Sequence, residues 1–140
     1  MTQSQPWNFI LGVRDTTQVQ KAFDGLKYDA TKHHLTLLPL DLSHIKNVKP
    51  FAQQSLQRLG ETKIDYLLLN AGLAKDAETN GFHPKWCEGY VVNHLSQHYL
   101  VHLLQNKLVE SKSRIIFVSS GAVRNVKDTS KTSLAKSRSS

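Results

Sequence analysis

At 140 residues, 39% apolar and 21% charged, the chain has the size of one domain and enough apolar content for a packed core. No apolar stretch approaches the ~20 residues that a membrane-spanning helix needs. One cysteine, Cys87, rules out an internal disulfide and a four-cysteine zinc site. Together with an N-terminus (Met1–Trp7) that lacks the basic and apolar segments of a secretory signal, it points to a reducing, cytoplasmic setting. The net charge of +7 is uneven: residues 1–111 hold 11 basic and 10 acidic side chains, a net +1, whereas residues 112–140 hold 7 and 1, a net +6. The basic character therefore belongs to the tail.

The apolar run Trp7–Val13 reads as a buried strand. Asp15, Thr16 or Thr17 can cap a helix over Gln18–Leu26, with Val19, Ala22, Phe23 and Leu26 on one face. Leu35–Leu40 reads as a second strand ended by Pro39 and Asp41. From Ser43, the apolar positions Ile45, Val48, Ala52, Leu56 and Leu59 follow a helical period and Gly60 supplies a stop. Ile64–Leu69 reads as a third strand, its run of Tyr66-Leu-Leu-Leu69 suiting cover on both faces. Asn70-Ala-Gly72 is a turn and Leu73–Pro84 a loop. Lys85–Leu108 is apolar nearly all round, which predicts a long buried helix. Arg114–Val118 is a fourth strand, ended by Ser119-Ser-Gly121. Residues 122–140, rich in Ser, Thr, Lys and Arg, are expected to be a disordered tail beside a folded unit over 1–121. Strands alternating with helices predict an α/β fold with a parallel sheet of about four strands, and ligands then bind beyond the carboxyl ends of the strands.

Those ends carry Arg14, Asp41, Asn70–Gly72 and Ser119–Gly121. An arginine after the first strand suits a 2′-phosphate, although Asp15 beside it dilutes the charge. An aspartate such as Asp41 is equally a helix cap. Small residues in the Asn70–Gly72 turn let a ligand approach the backbone. Asn93, inside an apolar helix, is expected to be a buried amide with partners. His94, His98 and His102 share one helical face, but no carboxylate or cysteine joins them, so no metal site is expected.

Five segments resemble, in order and spacing, the short-chain dehydrogenase/reductases, in particular the retinol-dehydrogenase-like and WW-domain-oxidoreductase-like group. They are Ile10-Leu-Gly-Val-Arg-Asp15, Leu40-Asp-Leu42, Leu67-Leu-Leu-Asn-Ala-Gly72, Val92-Asn-His-Leu-Ser96 and Arg114-Ile-Ile-Phe-Val-Ser-Ser120. The resemblance implies a Rossmann-like doubly wound sheet and an NADP cofactor, with NAD the less favoured choice. It implies that Arg14 lies near the ribose, Asp41 and Leu42 hold the adenine, and Asn70, Ala71 and Gly72 line the cofactor. Asn93 would bend its helix and hold a relay water, and Ser120 would donate to a substrate carbonyl. It further implies a small-molecule alcohol or carbonyl substrate and a homo- or hetero-dimer through Lys85–Leu108.

The resemblance also marks two departures. The glycine-rich diphosphate turn that opens such domains is not found before Trp7, and the Tyr-x-x-x-Lys positions fall on Ser133 and Ser137. The last tyrosine is Tyr99. In the strand order 3-2-1-4-5-6, the segments present correspond to strands two to five, so a central position is open. The sheet is expected either to divide into two pairs or to close by pairing its second pair directly onto the first. The leading reading is thus a fragment of an NADP-dependent oxidoreductase, catalytically incompetent as given. The alternative is a non-enzymatic interaction module pairing with a full-length relative. Specific nucleic-acid or membrane-surface binding by the tail is disfavoured, because it has no aromatic residue and no amphipathic period.

Overall fold

The computed structural model describes residues 7–26, 29, 31–74 and 86–121. Strand β1 (Asn8–Val13) is followed by helix α1 (Thr16–Asp24), which starts two residues before the expected point because the Asp15 carboxylate accepts the Gln18 N–H at 2.9 Å and caps the first turn. Strand β2 (His34–Pro39) pairs in parallel with β1, from Asn8 opposite His34 to Val13 opposite Pro39. The bonds His34 N–H to Trp7 O and Leu40 N–H to Val13 O show that even-numbered β2 residues face β1, so Pro39 removes no ladder bond.

The next helix does not start at Ser43. The Asp41 carboxylate captures the Ser43 N–H and hydroxyl, at 2.9 and 2.6 Å, in a local turn. A 3₁₀ turn (Ile45–Asn47) then leads into α2 (Val48–Leu59), and Gly60, at φ 51° and ψ −123°, ends it in a conformation that suits glycine. Strand β3 (Tyr66–Leu69) pairs in parallel with β4 (Arg114–Phe117). Between them runs one long helix: α3 (Glu88–Tyr90), a π turn (Val91–Leu95) and α4 (Ser96–Ser111). It ends at Lys112, whose positive φ of 55° puts a non-glycine residue in the left-handed cap.

Leu38 of β2, Leu69 of β3, Val48, Phe51 and Ala52 of α2, and Leu100, Leu104 and Leu108 of α4 form the core, with Ile10, Leu40 and Leu67 packed against it. Gly12 is required by close approach: a Cβ there would lie 2.5 Å from Leu40 Cδ2 and 3.0 Å from the Phe51 ring.

Of the two arrangements foreseen for the sheet, the structure takes the first: β1–β2 and β3–β4 are separate two-stranded sheets. Three expectations of burial are corrected. β1, read as a buried strand, has no buried residue, and its Phe9 is 50% exposed. β3 is not covered on both faces, since Tyr66 is 64% and Leu68 57% exposed while Leu67 and Leu69 meet the core. The α2 and α4 side chains of the core reach only one face of that pair. The long helix spans Glu88–Ser111 rather than Lys85–Leu108 and is not buried all round. Its core stripe holds the leucines, while Trp86, Tyr90, His94 and His98 line another face, Trp86 stacked on Tyr90 at 5.0 Å, Tyr90 tilted against His94 at 5.3 Å and His94 stacked on His98 at 6.2 Å between ring centroids. The residues 122–140, expected to form a disordered tail, and most of the loop expected over Leu73–Pro84 lie outside the described residues.

Candidate functional site

The long helix gathers the strand ends. Its N-terminal part presents three polar side chains, Asn93, Ser96 and Gln97, within little more than one turn of an apolar sequence. The Ser96 hydroxyl, fully buried, donates to the Leu42 carbonyl at 2.7 Å just beyond β2. The Gln97 amide, 6% exposed, donates to the Ala71 carbonyl at 2.6 Å just beyond β3, and at 3.3 Å to the Val92 carbonyl inside the π turn. The Asn93 amide closes a two-point clamp on Leu73, accepting its N–H and donating to its carbonyl, both at 2.9 Å. Buried amides and hydroxyls hold position when their partners are backbone groups that have no alternative. Segments 41–42 and 70–73 are therefore fixed to one helix end.

Asp41 begins this cluster. Its Oδ1 accepts from Ser43 and its Oδ2 lies 3.2 Å from His44 Nδ1. Partial burial pushes the carboxyl up, but the Ser43 hydroxyl and N–H, joined by His44, outweigh it and hold Asp41 below the ordinary carboxylate value. An ionised, oriented carboxylate beside the backbone of Leu42 can accept from an exocyclic amine. At Gly72 a Cβ would meet, among the described residues, only Asn93 Oδ1, at 3.5 Å. Asn70 and Ala71 are exposed beside it.

Asn93 corrects one expectation. It is exposed rather than buried, and it finds its partners across the site on Leu73 instead of inside the helix. It does sit at the middle of the π turn. Arg14, exposed, follows β1, and Ser120, also exposed, follows β4. Each strand pair is parallel, so Arg14 lies at the same end of its sheet as Asp41, and Ser120 at the same end as Asn70. Ser96, Gln97 and His44 were not singled out from the sequence. The signal for the first two was legible: adjacent polar residues on an otherwise apolar helix must be satisfied somewhere. Among the described residues no group of three His, Cys, Asp or Glu side chains is placed to hold a metal.

The sequence profile of the short chain dehydrogenases matches residues 3–131. The chain belongs to the short-chain dehydrogenase family. It is 55% identical over 129 residues to a short-chain dehydrogenase/reductase of Pestalotiopsis microspora, covering 91% of this chain and 44% of that protein. It is 32% identical over 117 residues to human retinol dehydrogenase 13, covering 81% and 34%. This short-chain dehydrogenase chain thus spans under half the length of the curated relatives it matches. Among solved structures, the enzyme KRED1-Pglu aligns with a TM-score of 0.64 at 19% identity over 92% of this chain and 52% of its own. An NADPH-bound carbonyl reductase from chicken fatty liver aligns with a TM-score of 0.63 at 19% identity over 99% and 58%. An oxidoreductase of Brucella ovis with a partially ordered NAD aligns at 0.56 and 18% identity over 96% and 72%. These likenesses establish the Rossmann-type α/β fold of the family, which binds NAD(P). No helix among the described residues is long and apolar enough to cross a membrane.

Proposed function

We propose that the chain is the cofactor-facing part of an NADP-dependent short-chain oxidoreductase that interconverts an alcohol and a carbonyl in the cytoplasm. The observation that carries this reading is the anchoring of segments 41–42 and 70–73 to one helix end by Ser96, Gln97 and Asn93. That arrangement fits the adenosine and ribose half of a dinucleotide. Asp41 and the Leu42 backbone hold the adenine, the Asn70–Gly72 turn lets the cofactor approach the backbone, and Arg14 faces a 2′-phosphate. When bound, the nicotinamide group supplies or accepts the hydride. Asn93 sets the position of the turn by engaging Leu73 at both backbone groups, and Ser120 orients a substrate carbonyl by donating its hydroxyl proton.

The chain alone does not turn over substrate. Its last tyrosine, Tyr99, is partly buried against the core, and the register places serine where the proton-donating tyrosine and its lysine would stand. The test is saturation-transfer NMR of the purified chain with NADP, NAD and 2′,5′-ADP, paired with a measurement of NADPH absorbance in the presence of aldehydes. Transfer to the adenosine half is expected to be stronger for NADP and 2′,5′-ADP than for NAD, and to weaken in Arg14→Ala, with no NADPH consumed. Equal transfer from NAD, indifferent to Arg14→Ala, would overturn the cofactor assignment. NADPH consumption would overturn the incompetence.

A further inference from the structure

Residues 41–44 hold a carboxylate, a hydroxyl and an imidazole in mutual contact. Asp41 Oδ1 accepts two bonds from Ser43, one from its N–H at 2.9 Å and one from its hydroxyl at 2.6 Å. His44 Nδ1 lies 3.0 Å from Ser43 Oγ and 3.2 Å from Asp41 Oδ2. A hydroxyl has one proton, and the charged partner at 2.6 Å takes it. Toward His44 the Ser43 oxygen then offers only lone pairs, as does Asp41 Oδ2. The ring nitrogen that faces both must carry a hydrogen, so neutral His44 is held in its Nδ1–H form. In water the neutral ring favours the Nε2–H form instead. The His44 backbone is tied on both sides, its N–H donating to the Asp41 carbonyl at 3.3 Å and its carbonyl accepting the Asn47 N–H at 2.8 Å. Ser96 holds the intervening Leu42 carbonyl.

We propose, on the reading that Asp41 holds the adenine, that Ser43 and His44 are positioning residues that make this carboxylate select a 6-amino purine over a 6-oxo purine. A carboxylate oxygen has places for about two donors. Both places on Oδ1 go to Ser43, and among the described residues Oδ2 receives only the His44 ring. Oδ2 is thus the oxygen with a place left, and the Ser43 and His44 bonds stop the carboxylate from turning about its Cβ–Cγ bond. The Asp41 side chain is 36% and the His44 side chain 38% exposed, so a ligand can reach them. An exocyclic amine donates into the open place. A carbonyl at the same position sets lone pairs against lone pairs, and a fixed carboxylate cannot turn away. The selection therefore rests on orientation as well as charge. Without Ser43 and His44 the carboxylate keeps its charge but rotates, and both purines are tolerated.

The probes are adenosine and inosine 5′-monophosphate, which carry an amine and a carbonyl at position 6. Each is titrated into the 140-residue chain by saturation-transfer NMR, and the His44 tautomer is read from the ring ¹⁵N shifts of the unmodified chain. Neutral His44 is expected in the Nδ1–H form. The adenosine nucleotide should be preferred at least about tenfold, and the preference should vanish in Asp41→Ala. Ser43→Ala and His44→Phe should each reduce it at least about threefold. Asparagine carries an N–H where imidazole has Nδ1, so His44→Asn should keep the preference within about twofold, whereas His44→Gln should behave like His44→Phe. A role in folding alone would weaken both nucleotides alike and leave their ratio unchanged. A majority of Nε2–H His44, in a folded or an unfolded chain, would overturn the proposal. So would a preference that survives both Ser43→Ala and His44→Phe, a result that leaves the adenine reading of Asp41 standing. No preference in the unmodified chain, or one indifferent to Asp41→Ala, would overturn both.

Discussion

Replacing Gln97 by Met isolates the bond that fixes the turn after β3. Methionine nearly matches glutamine in volume, so packing changes little, but the donor is lost. The 2.6 Å bond to the Ala71 carbonyl disappears and the Val92 carbonyl, in the buried part of the π turn, loses its 3.3 Å partner. A net hydrogen bond contributes about 1 kcal/mol, and the second, at 3.3 Å, adds less, so Gln97→Met should lose about 1–2 kcal/mol. Urea unfolding followed by circular dichroism measures this as a lower midpoint at unchanged slope. Because Asn93 holds the same turn through Leu73, the effects of Asn93→Ala and Gln97→Met should fall short of additive by at least about 0.5 kcal/mol. The Leu73 amide should also exchange faster in the Gln97 variant. A loss under about 0.5 kcal/mol, or additivity of the pair, would refute the claim that these amides act as one clamp.

Further outcomes follow from single contacts. Ser96→Ala strands the Leu42 carbonyl and should cost about 1–3 kcal/mol in the same unfolding assay. Gly12→Val drives a side chain into Leu40 and Phe51 and should lose about 1–3 kcal/mol, read as a lower thermal midpoint. Lys112→Gly relieves a left-handed backbone at the end of the long helix and should gain about 1 kcal/mol, a rise in the same midpoint. Asp41 has a depressed carboxyl, so its contribution is full above the ordinary value of 3.8 and is lost as pH falls below it through the folded value. The carboxylate is about a third exposed, so the contribution stays under about 1 kcal/mol. The stability difference between the protein and Asp41→Asn should accordingly persist at neutral pH and shrink in strong acid.

Local signals in the sequence located the elements well where one residue dominates. Asp15 starts α1 and Gly60 ends α2, because a capping carboxylate and a left-handed glycine act within a single turn. The start of α2 was misread because Ser43 is itself held by Asp41, a competition between side-chain turn and helix cap that periodicity does not reveal. Burial was misread for β3 and the long helix because apolar composition records what a face could cover, whereas exposure depends on which neighbours are present. The strand ends were legible as a site. The clamp was not, since the pairing of Gln97 with Ala71 and of Asn93 with Leu73 joins residues 20 or more positions apart.

The long helix is also pinned at its far end. The Ser111 hydroxyl accepts the Ile64 N–H at 3.1 Å, and the Ser113 hydroxyl donates to the Ile64 carbonyl, ahead of β3. One rod therefore spans β3 from below its first residue to beyond its last, and it advances about 1.5 Å and turns about 100° with each residue. Its length in residues becomes a gauge of the whole unit. A substitution along its exposed side leaves both anchor points in phase. One inserted residue between Gln97 and Ser111 would swing one set of anchors a quarter turn off its strand. The exposed side of this helix can thus change in sequence, whereas any change in its length shifts one anchor by about 1.5 Å and 100° per residue against β3.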